Sequence, residues 1–198
     1  MQAFVTCPLD GDSHQKHCGL VEHYKETGTS HECPHRGECQ SMKQYIKHFI
    51  IGLLINFGGL AIGGLWTNPG TSSDWYSTLN IAPWTPPGWV FAFAWTTIGL
   101  TFSMWYSWMK VSAKNHEYDL FTLFCFSVLL NVAWNPLFFG LHQLGISWFV
   151  ITLLSITIFY LCDITRKEYG WKPMLLVIPY FLWLCIANSL NLYALLMN

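Results

Sequence analysis

Five apolar stretches, near residues 46–66, 88–109, 120–139, 147–162 and 174–197, hold no Asp, Glu, Lys or Arg away from their ends. A helix needs ~20 such residues to cross ~30 Å of hydrocarbon. Four of the stretches come close to that length and the fourth, at 16 residues, is the shortest. Turn chemistry separates them: Thr67-Asn68-Pro69-Gly70, Ala82-Pro83 and Pro86-Pro87-Gly88, the Lys110–Asp119 segment, Gly140–Gly145, and Arg166–Pro173. The pattern predicts an all-α membrane protein, a bundle of five transmembrane helices.

Five crossings place alternate connections on opposite sides, and the basic residues test that arrangement. The chain is only 11% charged, against roughly 25% in an average soluble domain. Lys16, Lys25, Arg36, Lys43 and Lys47 precede the first stretch, Lys110 and Lys114 follow the second, and Arg166, Lys167 and Lys172 follow the fourth, so all ten fall on one side. The positive-inside rule then predicts an N-terminus inside and a C-terminus outside. A formal net charge of −1 hides this asymmetry and gives no reason to expect nucleic acid as a partner.

Residues 1–41 form a polar extension and 42–198 the membrane body. The extension holds four of the seven cysteines, Cys7, Cys18, Cys33 and Cys39, and five of the eight histidines. His31, Cys33, His35 and Cys39 bring four metal-ligand side chains into nine residues. On the reducing side of a membrane that set suits Zn²⁺ or Fe better than a disulfide, although its spacing matches no standard finger. A disordered polar tail is the competing reading, and Met42 would itself make a normal start for a membrane protein. No apolar core of a secretory signal lies within residues 1–41.

The helical faces carry the next level of information. Asn131, Trp134, Asn135 and Phe138 recur at i, i+3, i+4 and i+7, so two amides flanked by rings share one face. An amide is costly in lipid, so this face turns inward, either to join helices or to address a ligand. Pro136 is expected to kink the helix just after it. Tyr180, Trp183, Ala187 and Asn191 repeat the arrangement in the fifth stretch, and Trp89, Phe93, Thr96 and Leu100 do so in the second. Three aromatic stripes with a few polar atoms describe a pocket between helices for a flat, largely apolar molecule. Trp66, Trp105, Trp108 and Trp171 lie near helix ends, where an aromatic belt accounts for them. Gly59-x-x-x-Gly63 allows close backbone approach, within the bundle or between two copies. Cys125, Cys162 and Cys185 serve most simply as small core residues. The body has no paired carboxylates, no nucleophile with a base and no phosphate loop.

Three segments at matching separations carry a resemblance: Trp75-Tyr76-Ser77-Thr78-Leu79 with Pro83-Trp84-Thr85-Pro86-Pro87-Gly88-Trp89-Val90-Phe91, then Leu130-Asn131 through Trp134-Asn135-Pro136 to Phe138-Phe139, then Pro179-Tyr180 through Trp183 and Ala187 to Leu190-Asn191. Residues 45–198 resemble the translocator protein or tryptophan-rich sensory protein family. The resemblance implies a five-helix bundle, often dimeric, with a ligand pocket covered by the first long loop. It implies ligands such as protoporphyrin IX or, in eukaryotic members, cholesterol. By position, the ligand contacts would be Trp89 and Phe93, then Asn131, Trp134 and Phe138, then Trp183, Ala187 and Leu190, with Trp75, Tyr76 and Trp84 in the lid. Two departures matter. Gly99 stands where members often carry Tyr, and no Lys or Arg follows Tyr193, which shifts the expectation from sterols toward tetrapyrroles and a bacterial cell membrane.

The expected function is therefore a multi-pass membrane receptor or sensor for porphyrin-type tetrapyrroles that needs no cofactor. Some bacterial relatives have been credited with light- or oxygen-dependent breakdown of protoporphyrin, so an enzyme is one alternative. A transporter is another, although no acidic or basic residue lies in mid-membrane to couple it to an ion.

Overall fold

The computed structural model describes residues 34–113 and 116–198, with side chains from residue 41 onward. The chain divides after Gln44, and Tyr45–Asn198 is the helical bundle. Seven α-helices follow in order: α1 Pro34–Thr71, α2 Asp74–Thr78, α3 Gly88–Ser112, α4 Glu117–Asn135, α5 Leu144–Tyr169, α6 Trp171–Met174 and α7 Ile178–Met197. A π-turn, Pro136–Gly140, prolongs α4. No strand occurs among the described residues.

Among the described residues four helical segments are long and apolar enough to cross a membrane: Ser41–Thr71, Glu117–Gly140, Leu144–Tyr169 and Ile178–Met197. The shortest stretch in the sequence becomes a helix of 26 residues with a mean hydropathy of 2.1 in its most apolar part. Its polar ends Arg166 and Lys167 stay helical because basic side chains suit the last turn. Gly170, at φ +87°, then supplies the left-handed conformation that ends it.

Helix α3 has 25 residues but is not one of those four. Four tryptophans, a tyrosine and six hydroxyl residues dilute it. Its position explains why this is tolerated: eight of its residues are buried, including Phe102, Trp105 and Met109 at 0% exposure. The buried residues form one face, and the opposite face, with Trp89, Phe93, Leu100 and Met104 exposed, is apolar.

The helices close into a ring. α3 packs on α7, α7 on α5 and α5 on α4. α1 completes the circuit through its glycines: a Cβ at Gly52 would lie 3.0 Å from Ser103 Cα on α3, and Cβ atoms at Gly59 and Gly63 would lie 3.2 Å from Val132 and 2.6 Å from Asn135 on α4. Gly59 and Gly63 are thus spent inside the bundle, bringing α1 against α4. Near the basic end the interior is filled with rings: Phe102 stacks on Trp105 at 5.4 Å and meets Phe124 at 5.1 Å and Tyr180 at 5.3 Å.

Two local outcomes differ from the turn pattern. Thr67–Gly70 stays helical, because Gly70 sits so close to Phe139 that a Cβ would come within 2.5 Å, and the hydroxyls of Thr71 and Ser72 bond the Asn68 carbonyl at 3.2 and 3.4 Å. Pro136 has no N–H to continue the α ladder, and the register shifts to a π-turn closed by Leu141 N–H on Pro136 C=O at 2.8 Å.

The ends of the bundle differ in charge. Tyr45 bonds Ser112, joining the start of α1 to the end of α3, and Trp108 packs on Tyr169 at 5.1 Å. Lys47, Lys110, Arg166, Lys167 and Lys172 therefore share one end. There Lys110 pairs with Glu117 at 2.9 Å, and His116 lies 3.3 Å from Asp119 and 3.6 Å from Glu168. At the other end Asp74 is the sole charged side chain among the described residues. There the Asn198 carboxamide accepts from Asn80 N–H at 2.9 Å.

Gly63→Ala should destabilise the fold by about 1–3 kcal/mol, the usual cost of overpacking. Gly58→Ala, where nothing lies within 4 Å, should leave stability unchanged or raise it. Thermal unfolding of the detergent-solubilised variants measures both.

Candidate ligand site

Two chains of aromatic rings run through the bundle, the first of them in the half away from the basic end. The first starts in the lid helix α2, which Ser73 caps through its hydroxyl on Tyr76 N–H at 3.2 Å. Trp75 stacks on His142 at 3.9 Å and meets Phe138 edge-on at 5.7 Å. Phe138 stacks on Trp134 at 5.0 Å. The Trp134 indole N–H then reaches from α4 to α7 and donates to Asn191 Oδ1 at 3.0 Å. Beside this chain Tyr76 packs on Phe139 at 5.9 Å, and burial pushes its phenol above the ordinary value of 10.0.

The second chain joins α3 to α7. Phe91 meets Trp183 edge-on at 5.1 Å, Trp183 lies 6.4 Å from Trp95, and Trp95 lies 6.1 Å from Tyr180. Both chains end on one face of α7, where Trp183, Ala187 and Asn191 follow at intervals of four and are all buried. Ala187 is the small residue between the two anchors. Trp183 Nε1 and Tyr180 Oη are buried with no hydrogen-bond partner.

The structure brings together Trp75, Tyr76, Trp134, Phe138, Trp183 and Ala187, with Leu190 half-buried one turn beyond. Trp84 lies over α7 at the surface, 5.2 Å from the Tyr193 ring and 3.3 Å from the Ser189 hydroxyl. Asn131 lines a cleft beside Trp95, Gly99 and Tyr180. Trp89 and Phe93 are not brought in: at 70% and 66% exposure they point away from the bundle, and Thr96 and Leu100 continue that outward stripe. Spacing identifies a stripe but not the direction it faces, and on α3 the inward stripe is Phe91, Trp95, Ile98 and Phe102. Asn135 joins helices, accepting from the Thr67 hydroxyl at 2.7 Å and donating to Asn131 C=O at 3.0 Å.

Sequence reasoning did not name Phe91, Trp95, Phe139 or His142 as contacts, although Phe91 and Phe139 fall within the motifs that carry the resemblance. The i, i+4 pair Phe91/Trp95 carried the same aromatic signal as Trp89/Phe93 on the opposite face of the helix, two residues on. Nothing in the sequence marked His142, whose φ of 55° aims its ring at the lid. His31, Cys33, His35 and Cys39 lie outside the residues whose side chains are described. Among the described residues no group of three or more His, Cys, Asp or Glu is placed to hold a metal.

A profile of the TspO/MBR family matches residues 50–197. The chain belongs to the TspO/MBR family. Protein CrtK of Rhodobacter capsulatus is 33% identical over 121 residues, 59% of this chain and 74% of its own. The translocator protein of Bos taurus is 31% identical over 143 residues, covering 70% and 82% of the two chains. The tryptophan-rich sensory protein of Cereibacter sphaeroides is 29% identical over 125 residues, covering 63% and 77%. Family membership and the apolar helices agree that this is a membrane protein.

Trp134→Phe keeps the ring but leaves Asn191 Oδ1 without its donor. It should lower stability by about 0.5–1.7 kcal/mol, the range for interhelical hydrogen bonds in membranes. A double-mutant cycle with Asn191→Leu, followed by thermal unfolding, should return that coupling.

Proposed function

We infer that this TspO/MBR protein is an integral membrane receptor whose ligand is a flat, largely apolar molecule of the porphyrin type. The carrying observation is the convergence of two aromatic chains on the Trp183–Ala187–Asn191 face of α7, beside two buried donors that no protein atom satisfies. Rings stack on a planar macrocycle, Ala187 leaves room for its edge, and an indole N–H or phenol is free to meet a polar atom of the guest. The names of relatives, tryptophan-rich sensory protein and translocator protein, support sensing or handover of a small molecule.

The cleft lined by Asn56, Trp95, Gly99, Asn131 and Tyr180 has a volume of about 10 Å³, room for one water molecule and far below the ~300–1,000 Å³ of a small-molecule pocket. A macrocycle therefore binds by displacing rings, above all those of the α2 lid, which rests on Phe138, Phe139 and His142. In this reading α3 is the fifth crossing, its hydroxyl residues Ser103 and Ser107 buried against the bundle. The end bearing Lys110, Arg166 and Lys172 faces the inside of a bacterial cell membrane, and the C-terminus faces outside.

Titration of the purified full chain with protoporphyrin IX should quench tryptophan fluorescence saturably, and Trp183→Ala should weaken binding at least tenfold. Illumination of the complex should give no new absorbing product. Quenching that never saturates would exclude the pocket, and a light-dependent product lost in Trp134→Phe would move the assignment to an enzyme.

A further inference from the structure

His142 is held in a conformation that its residue type rarely takes. Leu141 N–H donates to Pro136 C=O at 2.8 Å and Gln143 N–H to Leu137 C=O at 2.9 Å. Both neighbours of His142 are thus pinned to the π-turn, and the residue between them adopts φ 55°. A residue with a Cβ is strained in that left-handed region, and such strain persists where it serves a site. Here it lays the imidazole flat on the Trp75 indole, with ring centroids 3.9 Å apart and planes 13° from parallel. Neither ring nitrogen of His142 has a hydrogen-bond partner among the described residues.

The lid has few other ties. Helix α2 buries none of its five residues. Apart from the stack on His142, its rings meet the π-turn edge-on or tilted, Trp75 on Phe138 at 5.7 Å and Tyr76 on Phe139 at 5.9 Å. The loop after it is tied to the end of α7 through Asn80. A stack of imidazole on indole changes strength with one proton, because the indole face attracts a cationic ring and holds a neutral one by dispersion alone. Histidine changes charge between about pH 5 and 8. His142 is the sole described histidine at this end, since His48 and His116 stand toward the basic end. The other titratable groups here are Asp74 and Tyr76 on α2 and Tyr193 on α7. Asp74 forms no ion pair among the described residues, and burial holds the Tyr76 phenol above 10.0, so it stays neutral in that range. The end of α1, the π-turn and the first turns of α5 carry no titratable side chain.

We propose that His142 is a protonation-sensitive latch for the α2 lid, holding it shut when the imidazole is charged and releasing it when the imidazole is neutral, so that acid on the C-terminal side of the membrane slows release of a ligand. The shut lid binds the imidazole proton more tightly than the open lid, because only the shut lid offers it the indole face. Closure is therefore strongest below the titration of the imidazole and weakens as the pH rises through it. The latch rests on the reading that a ligand binds beneath α2, and it adds what regulates release.

The test uses the full chain in phosphatidylcholine nanodiscs at about pH 6 and about pH 8. Hydrogen exchange over residues 73–79, corrected for the intrinsic rate, should show about two- to fivefold greater protection at the lower pH. His142→Asn, whose new side chain tolerates the left-handed backbone, should give the low protection at both pH values. His142→Arg, charged throughout, should give the high protection at both. Asp74→Asn and His116→Gln should keep the pH dependence. Octaethylporphyrin, which has no acidic side chain, should dissociate about two- to fivefold more slowly at the lower pH from the unsubstituted protein and equally at both from His142→Asn. Protection that does not change with pH, or a change that survives in His142→Asn, would overturn the latch. A change in protection without a change in dissociation would overturn its control of the ligand. Failure of octaethylporphyrin to bind would remove the receptor reading, while the exchange comparison, which needs no ligand, still decides the latch. Should His142→Asn not fold, as judged by circular dichroism, Trp75→Leu removes the stack from the other side and must likewise abolish the pH dependence.

Discussion

Hydrocarbon cannot hydrogen-bond, so every amide and hydroxyl within the bundle must find its partner in protein. Most of them do so by joining helices. Asn135 ties α4 to α1 through Thr67, and Asn56 ties α1 to α3 through Ser103. Asn191 ties α7 to α4 through Trp134. Asn188 accepts from the Trp148 indole at 3.0 Å and donates to the Thr152 hydroxyl at 3.1 Å, tying α7 to α5. Where no hydrophobic effect separates helix from lipid, such pairs and close packing select which helices become neighbours. Among the described residues the buried side-chain atoms left without a partner are His48 Nδ1, Trp105 Nε1, Thr165 Oγ1, Tyr180 Oη and Trp183 Nε1, and the last two lie on the face of α7 that carries Ala187 and Asn191.

Aromatic rings do two jobs in this fold. Toward the basic end Phe102, Trp105, Tyr106 and Phe124 form a packed core with almost no exposure. Toward the other end the rings are anchored at one point and loose elsewhere: Trp134 hangs from Asn191, and Trp75 leans on His142 and Phe138 without a hydrogen bond. The first arrangement holds the bundle together. The second can be rearranged at small cost, because α2 is a helix of five residues with no buried side chain. A closed lid over a collapsible aromatic interior reconciles a small cleft with a family built around tryptophan.

Much of this was legible in the residues. The five apolar stretches correspond to the five long helices, and the basic residues whose side chains are described gather at one end as their spacing required. The inward faces of α4 and α7 were readable because each carries amides that lipid would penalise. The face of α3 was not readable. Trp89/Phe93 and Phe91/Trp95 are chemically alike, and no amide distinguishes one stripe from the other; only the packing of α7 against α3 turns Phe91 and Trp95 inward. Asn135 also shows the limit, since the same face held one amide that joins helices and one that lines a cleft.

The sequence by itself determined that this chain is a helical membrane protein with its basic residues at one end, because hydrophobic length and charge placement are additive along the chain and need no knowledge of neighbours. Family membership was likewise written in three short motifs. The tertiary structure alone decided that Gly59 and Gly63 serve α1 against α4, that Trp89 looks outward, and that the Phe57 ring packs on Gly99. Those outcomes depend on which surfaces of separate helices meet, and the periodicity of a single helix holds no information about its neighbours.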